Sequence, residues 1–214
     1  MRPFIYKPPT SPLDIIHIDS SIVVINKPTG LLTVRGKPQE HYDCLLDRVR
    51  NQIFGTLLIH RLDLDTSGVI IFARTHSAQI NLGKQFENRQ TQKKYIAIVS
   101  GNLEKSKGTI NLPTIVDWPN RPLQKICIET GRAAVTKFKV LSRKKNISSL
   151  VELEPLTGRS HQLRLHMKSI GHPILGDSLY ADDNAFNASN RLNLHSLSLE
   201  IEHPKTKIRQ MFLA

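Results

Sequence analysis

Residues 60–68 read HRLDLDTSG and lie between two apolar runs, LLI at 57–59 and VIIFA at 69–73. Four ionisable side chains, His60, Arg61, Asp63 and Asp65, fall where the chain leaves one run and enters the other. Charge is costly to hide beside apolar strands unless it has a partner or a task. Any fold open to this chain must bury both runs and still give the loop between them a partner or an exit. The stretches LLIHRL and GVIIFAR read as strands around that charged loop.

The rest of the chain supplies short β-rich runs and a few helices. An opening arm, YKPPTSP, is extended by its prolines. IIHIDSSIVVINKPTGLL gives two short β-rich pieces. DCLLDRVRNQIF (43–54) carries Leu45, Leu46, Val49 and Ile53 on one helical face, with Asp43 placed to cap it. SAQINLGKQFENRQ reads as a second helix and KKYIAIVSG as a strand. Residues 108–131 are irregular, and the three prolines of LPTIVDWPNRP forbid a continuous central strand there. AAVTKFKVLSRKKNISSLVELEPL reads as a hairpin. SHQLRLHMKSIG is a helix with Leu163, Met167 and Ile170 inward, and LNLHSLSLEI and RQMFLA end the chain as strands. No β-α-β-α alternation runs through these elements. The expected class is therefore α+β, with a mixed, mainly antiparallel central sheet flanked by helices and loops. No linker or internal repeat is visible, so residues 1–214 read as one domain, with residues 1–13 as an extended arm.

Bulk properties narrow the function. Thirty Lys and Arg against 18 Asp and Glu leave a net charge of +12. That sign draws polyanions toward the surface, and it fits either a basic solubility surface or a nucleic-acid partner. The two cysteines, Cys44 and Cys127, make no disulfide framework and read as reduced thiols. No signal-peptide core and no run of roughly 20 apolar residues is present. A cytoplasmic protein with no membrane partner is expected.

Several chemistries find no motif. There is no Gly-rich phosphate loop or dinucleotide fingerprint, no H-E-x-x-H, and no G-x-S-x-G around Ser67. His161 and His166 are five apart, on different helix faces, so no metal site is expected. Asp63 and Asp65 share one face if the segment is extended. They read either as paired carboxylates for acid–base work or as turn residues balanced by Arg61. A second cluster, LTGRSHQLRLHMKSIGHPILGD, places His161, Arg164 and Lys168 along a polar helical ridge. Its basic TGRS turn, before the helix N-terminus, suits a phosphate.

Taken together, these stretches resemble the RluA family of RNA pseudouridine synthases. HRLDLDTSG matches the family's H-R-L-D-x-x-T-S-G motif. GRSHQLRLH and GHPILGDSLY match its G-R-x-H-Q-[LI]-R-x-H and G-H-P-I-x-G-D-x-x-Y motifs. INKPTGLLT looks like its N-K-P-x-G motif, and KKYIAIVSG like the strand that bears its tyrosine. The resemblance runs from about Asp14 to the C-terminus. The N-K-P motif starts at Asn26, so no S4-like RNA-binding domain is expected in front. TIVDWPNRPLQKICIETG is similar to the members of dual specificity for tRNA and 23S rRNA. Uridine 32 of the tRNA anticodon arm and uridine 746 of 23S rRNA are the targets so implied.

The resemblance implies specific roles. Asp63 is the one essential carboxylate, which either attacks the ribose or helps remove a ribose proton. Asp65 falls at a position that the motif leaves open. Arg164 is expected to pair with Asp63 and keep it charged once buried. Tyr95 is expected to stack on the target base, although a tyrosine on a strand can equally be half-buried core. Arg61 is expected to fill the gap in the RNA or hold its backbone. No cofactor is implied, because pseudouridylation retains every atom and exchanges no electrons. Lys84, Arg89, Lys93, Lys94, Arg121, Arg159, His161 and Lys168 are the expected RNA contacts, acting from a monomer. The competing readings are a non-catalytic RNA-binding module or chaperone on the same fold, and a glycoside hydrolase. The latter would need a second carboxylate of raised pKa.

Overall fold

The computed structural model describes residues 5–145 and 147–214. They fall into two compact units. A flanking unit contains the described residues up to Lys93 together with His195–Ala214, and an inserted unit contains Lys94–Leu194. No linker separates them in the sequence. The chain passes from one to the other inside a strand each time.

In chain order the flanking unit begins with β1 (Asp14–Ile18), β2 (Ile22–Lys27), α1 (Leu45–Gln52), β3 (Leu57–Leu58), β4 (Ser67–Ala73) and α2 (His76–Glu87). The inserted unit follows with β5 (Gln92–Ser100), β6 (Lys107–Asn111), β7 (Thr114–Val116), β8 (Gln124–Ile126), β9 (Val135–Lys144), β10 (Ser148–Pro155), α3 (Gln162–Ser169) and α4 (Asp183–Asn187). β11 (Leu194–Glu202) and β12 (Arg209–Leu213) return to the flanking unit.

In the flanking unit, β2 pairs antiparallel with β1 on one side and with β4 on the other. β4 pairs in parallel with β11 through His195↔Ser67 and Ser196↔Gly68. β12 runs antiparallel to β11, and β3 antiparallel to β4. All seven residues of β4, SGVIIFA, are buried, as expected of a strand covered on both faces. Ile22, Val24, Val69, Ile71, Leu82, Leu199, Ile201 and Phe212 make one core. Each such side chain contributes about 1.5–3 kcal/mol when fully buried.

In the inserted unit, β5, β10, β9 and β6 form an antiparallel run. β10 alternates strictly between buried and half-buried residues, so one face lies on the core. Val99, Val151, Leu153, Phe138, Met167 and Ile174 lead that core. β7 and β8 form a separate two-stranded hairpin. The expected α+β class, with a mixed, mainly antiparallel sheet, is what these strands make.

Four details depart from the sequence reading. The N-cap of α1 is Cys44, not Asp43. Asp43 instead accepts from Arg48 Nε and Nη2 at 2.7 and 2.6 Å, because a charged fork outcompetes a lone backbone amide. The strand expected over 57–62 stops at Leu58. The irregular stretch 108–131 holds three short strands, with Pro113, Pro119 and Pro122 all between or beyond them. Finally, the polar ridge expected along α3 is largely buried. Arg164 is 3% exposed, and only Lys168 of the three ridge residues faces water. Both faces of α3 are covered, and its polar side chains are buried with partners.

Candidate active site

Between β3 and β4 the chain forms a loop that contains Asp63. A loop backbone is ordinarily mobile; this one is tied down residue by residue from the end of β2. Lys27 is the last residue of β2 and is 0% exposed. Its ammonium donates to the carbonyls of Pro28, Leu31 and Leu64 at 2.9, 2.6 and 2.9 Å. The Gly30 amide also donates to the Leu64 carbonyl, at 3.1 Å. Thr29 Oγ1 donates to the Asp65 carbonyl at 2.7 Å. Thr33 Oγ1 donates to the Leu62 carbonyl at 2.8 Å and accepts from the Leu62 amide at 3.3 Å. The main chain is thus fixed at 62, 64 and 65, and a turn closes where the Thr66 amide donates to the Asp63 carbonyl at 3.2 Å. Asp63, half-buried, is held at the centre of these ties.

The far end of the loop is set by a close backbone approach. Gly68 has φ +106°, and a Cβ there would lie 2.2 Å from the Ser196 carbonyl oxygen of β11. Only glycine fits both conditions. The neighbouring Ser67 hydroxyl shares a 2.9 Å hydrogen bond with His195 Nδ1. His195 Nε2 donates to the Ala214 carbonyl at 3.1 Å, which leaves Nδ1 as the acceptor for Ser67. His60 stacks on Phe86 with ring centroids 4.5 Å apart. Its Nε2 accepts from the Ile71 amide at 3.3 Å. Burial, aided by the positive charge of Lys93, pushes its pKa down to about 3. It is therefore a neutral acceptor that pins the loop to β4, not an acid or base at neutral pH.

In the inserted unit a second buried polar cluster surrounds Arg164. Its Nε and Nη2 donate to Asp177 Oδ2 and Oδ1 at 2.8 and 2.6 Å, with the two side chains 3% and 0% exposed. Asp177 Oδ1 also accepts from the Leu179 and Tyr180 amides at 2.9 and 3.1 Å. The guanidinium lies over the Tyr180 ring, 5.4 Å from its centroid. The Tyr180 hydroxyl bonds His161 Nδ1 at 2.8 Å and accepts from the Gln124 amide at 2.9 Å. Gln162 secures the start of α3. It accepts from Thr157 Oγ1 and the Arg159 amide and donates to Val135 O and Thr136 Oγ1. The TGRS turn therefore directs one of its amides at a side chain of its own helix. His166 bonds Thr136 Oγ1 and the Leu112 carbonyl, each at 2.9 Å, and burial lowers its pKa.

The remaining predicted residues are placed as follows. Tyr95 lies on β5 opposite Leu153, half-buried against the core of the inserted unit. Arg61 is exposed. Lys84 and Arg89 are exposed on and just after α2, and burial lowers the pKa of the half-buried Lys93. Lys94, Arg121 and Lys168 are exposed, with Lys94 3.4 Å from Glu152. Arg159 is half-buried, its Nε donating to the Ala133 carbonyl at 3.1 Å. His161, also half-buried, caps α3 with a left-handed φ of 52°. Within the inserted unit, His161 and Arg164 are brought together through Tyr180. Among the described residues no group of three or more His, Cys, Asp or Glu side chains is placed to hold a metal ion. No helix among them is long and apolar enough to cross a membrane.

Sequence reasoning missed Lys27, Asp177, Tyr180 and Gln162 as parts of this machinery. All four lie inside stretches singled out as motifs, yet carried no assigned role. A signal was present for Lys27: it ends the run IVVIN, where an unpaired ammonium would be costly to bury.

Three sets of known proteins are similar to this chain. The family model for RNA pseudouridylate synthase matches residues 21–169. The "Dual-specificity RNA pseudouridine synthase RluA" of Pasteurella multocida is 50% identical over 203 residues, 94% of this chain and 93% of the relative. The protein of the same name from Vibrio cholerae is 46% identical over 210 residues, 97% and 85% of the two chains. Among solved structures, Human RNA Pseudouridylate Synthase Domain Containing 1 matches with a TM-score of 0.78 at 26% identity, covering 98% of this chain and 85% of that one. Human RNA Pseudouridylate Synthase Domain Containing 4 matches with a TM-score of 0.75 at 28% identity, covering 94% and 87%.

Proposed function

The chain belongs to the RNA pseudouridylate synthase family, and on that premise we propose that Asp63 is the carboxylate through which it isomerises uridine. It is an RNA pseudouridine synthase, an isomerase whose substrate is RNA. The binding-only alternative loses its support with that membership. The observation that supports the role of Asp63 is the clamp on its loop. Main-chain ties at 62, 64 and 65 hold one carboxylate in place, and preorganisation of this kind removes the reorganisation that a free side chain would need.

The reaction breaks the N1–C1′ bond of uridine and forms a C5–C1′ bond. The proton on C5 is released, and N1 ends with a proton, so the product is an isomer. Asp63 serves either as the nucleophile at C1′ or as the base that helps remove a ribose proton; both routes need it ionised. Tyr95 stacks on the extruded base, which has left its helix at a cost of a few kcal/mol. Arg164, held by Asp177, is the cation assigned to catalysis, and Arg61 contacts the RNA beside the flipped nucleotide. Lys84, Arg89, Lys93, Lys94, Arg121, Arg159, His161 and Lys168 supply the electrostatic footprint that offsets the extrusion cost. The reaction requires that water be kept from the detached base, since water would divert it to an abasic product.

The targets proposed are uridine 32 of the tRNA anticodon arm and uridine 746 of 23S rRNA. The support is the dual specificity printed in the names of relatives that are 45–50% identical. The two units work as one catalytic domain, as a cytoplasmic monomer. The test is tritium release from RNA carrying 5-tritiated uridine. Wild type releases tritium from total tRNA and rRNA, while Asp63→Asn releases none. Release by Asp63→Asn at the wild-type rate would overturn the assignment. Mapping pseudouridines in RNA from a deletion strain checks the two positions.

A further inference from the structure

Trp118 is the chain's single tryptophan and is 65% exposed. It opens a short 3-10 turn, Trp118–Asn120, at the tip of the β7–β8 hairpin. The Arg121 guanidinium lies over its ring, 4.5 Å from the centroid. The ring is open to a planar partner, and an indole offers a large contact face to one.

The tip is rigid. The Asp117 amide donates to the Leu123 carbonyl, the Asn120 amide to the Asp117 carbonyl, and the Leu123 amide to the Asn120 carbonyl, all at 2.9–3.0 Å. Asn120 Nδ2 donates to Asp117 Oδ2 at 2.9 Å, and Lys125 Nζ lies 3.7 Å from Asp117 Oδ1. Pro119 and Pro122 restrict φ on either side of Asn120 and Arg121. Where the tip joins β8, the Gln124 amide donates to the Tyr180 hydroxyl and ties the hairpin to the rest of the inserted unit. A preformed aromatic face on a stiff support loses little entropy on binding.

We propose that Trp118 and Arg121 form a stacking platform for one unpaired base of the RNA substrate, separate from the base held at Tyr95. The proposal rests on the RNA substrate established by family membership. The chemistry favours a nucleobase. Indole and guanidinium both present flat faces to a base, every base has a π-face, and Arg121 adds charge toward the adjoining phosphate. The platform holds RNA without reading its sequence. Through Tyr180 it is joined to the cluster around Arg164.

Because Trp118 is the only tryptophan, emission excited at wavelengths beyond tyrosine absorption reports on this ring alone. Titration of the Asp63→Asn protein with total tRNA should quench the emission and protect it from acrylamide. In turnover, Trp118→Ala should raise KM for tRNA about tenfold or more with little change in kcat. Trp118→Phe should restore most of the loss, and the salt slope of binding should stay as in wild type. Arg121→Gln should weaken binding and flatten that slope. Emission that stays unchanged at tRNA concentrations saturating turnover, or an unchanged KM in Trp118→Ala, would overturn the platform. Quenching in a protein whose wild type releases no tritium would instead leave the platform standing and remove the catalytic assignment.

Discussion

Arg164 and Asp177, thirteen residues apart, meet in a two-point ion pair of 2.8 and 2.6 Å from which water is excluded. Asp177 also takes two backbone amides. The pair therefore fixes the direction of a guanidinium at the centre of the inserted unit.

Removing one partner from a buried pair leaves the other charge without compensation, at a cost of about 3–5 kcal/mol. Asp177→Asn should lower the unfolding free energy, read from urea titrations, by that amount. A loss under about 1 kcal/mol would mean that the site relaxes around the lone Arg164. Arg164→Met should reduce turnover more than RNA affinity, and unchanged turnover would count against its catalytic role.

Lys27→Met should unfasten the Asp63 loop. Three carbonyls lose a charged donor, and the expected loss is about 2–4 kcal/mol of stability. Turnover should fall further than the folded fraction, measured on the same sample. Lys27→Arg should not rescue, since a forked guanidinium cannot point at three carbonyls packed within 2.9 Å of one nitrogen. Wild-type turnover in Lys27→Met would refute the clamp.

His60 makes stability depend on pH. Its folded pKa, about 3, lies below the unfolded value of about 6.5. In the window between them the unfolded chain binds a proton that the folded chain does not. Stability is fully present above about 6.5 and is lost as pH falls toward about 3, by roughly 1.4 kcal/mol per pH unit. His60→Gln, which keeps an acceptor for the Ile71 amide, should flatten the dependence between pH 6 and 4 in urea titrations. An equal slope in the variant would remove His60 from the account. Asp19 acts in a lower window. Burial alone would raise its pKa, but hydrogen bonds from His17, the Ser21 and Ile22 amides and His203 hold it well below the usual carboxylate range. Its contribution is lost only below about 4.

Gly68→Ala should destabilise by about 2 kcal/mol or more, since its Cβ meets β11 backbone and its φ is left-handed. Gly55→Ala is the control, with φ +79° but open space around it. It should show only the backbone strain, and equal losses at the two sites would deny the steric term.

A chain of net charge +12 acting on RNA should bind less tightly in salt. Affinity for tRNA should fall about tenfold or more between 50 and 200 mM salt. A dissociation constant that does not move would argue against an electrostatic footprint.

The strands were legible where side chains alone set the pattern. β4 is apolar throughout and β10 alternates, so both announce themselves. The Asp63 loop was legible as a charged break between such strands. Other features depend on partners distant in sequence. Lys27 has no role that the sequence assigns until Leu64 supplies a carbonyl 37 residues away. Spacing alone shows Arg164 as part of a polar ridge; its burial appears only when Asp177 and Tyr180 close over it. β7 and β8 have three residues each and α4 has five, too few for any periodicity to show. The cap of α1 was misread because Asp43 had a better partner in Arg48.

The parallel pairing of Ser67 and Gly68 with His195 and Ser196 has a temporal side. A ribosome releases the Asp63 segment first, and the strand against which its exit turn is moulded emerges more than 120 residues later. Until then the nascent polypeptide carries Asp63 in a loop whose supporting strand is missing. Competence for modification should then arrive abruptly once β11 has emerged, which shields chains lacking that strand from engaging the RNA around them.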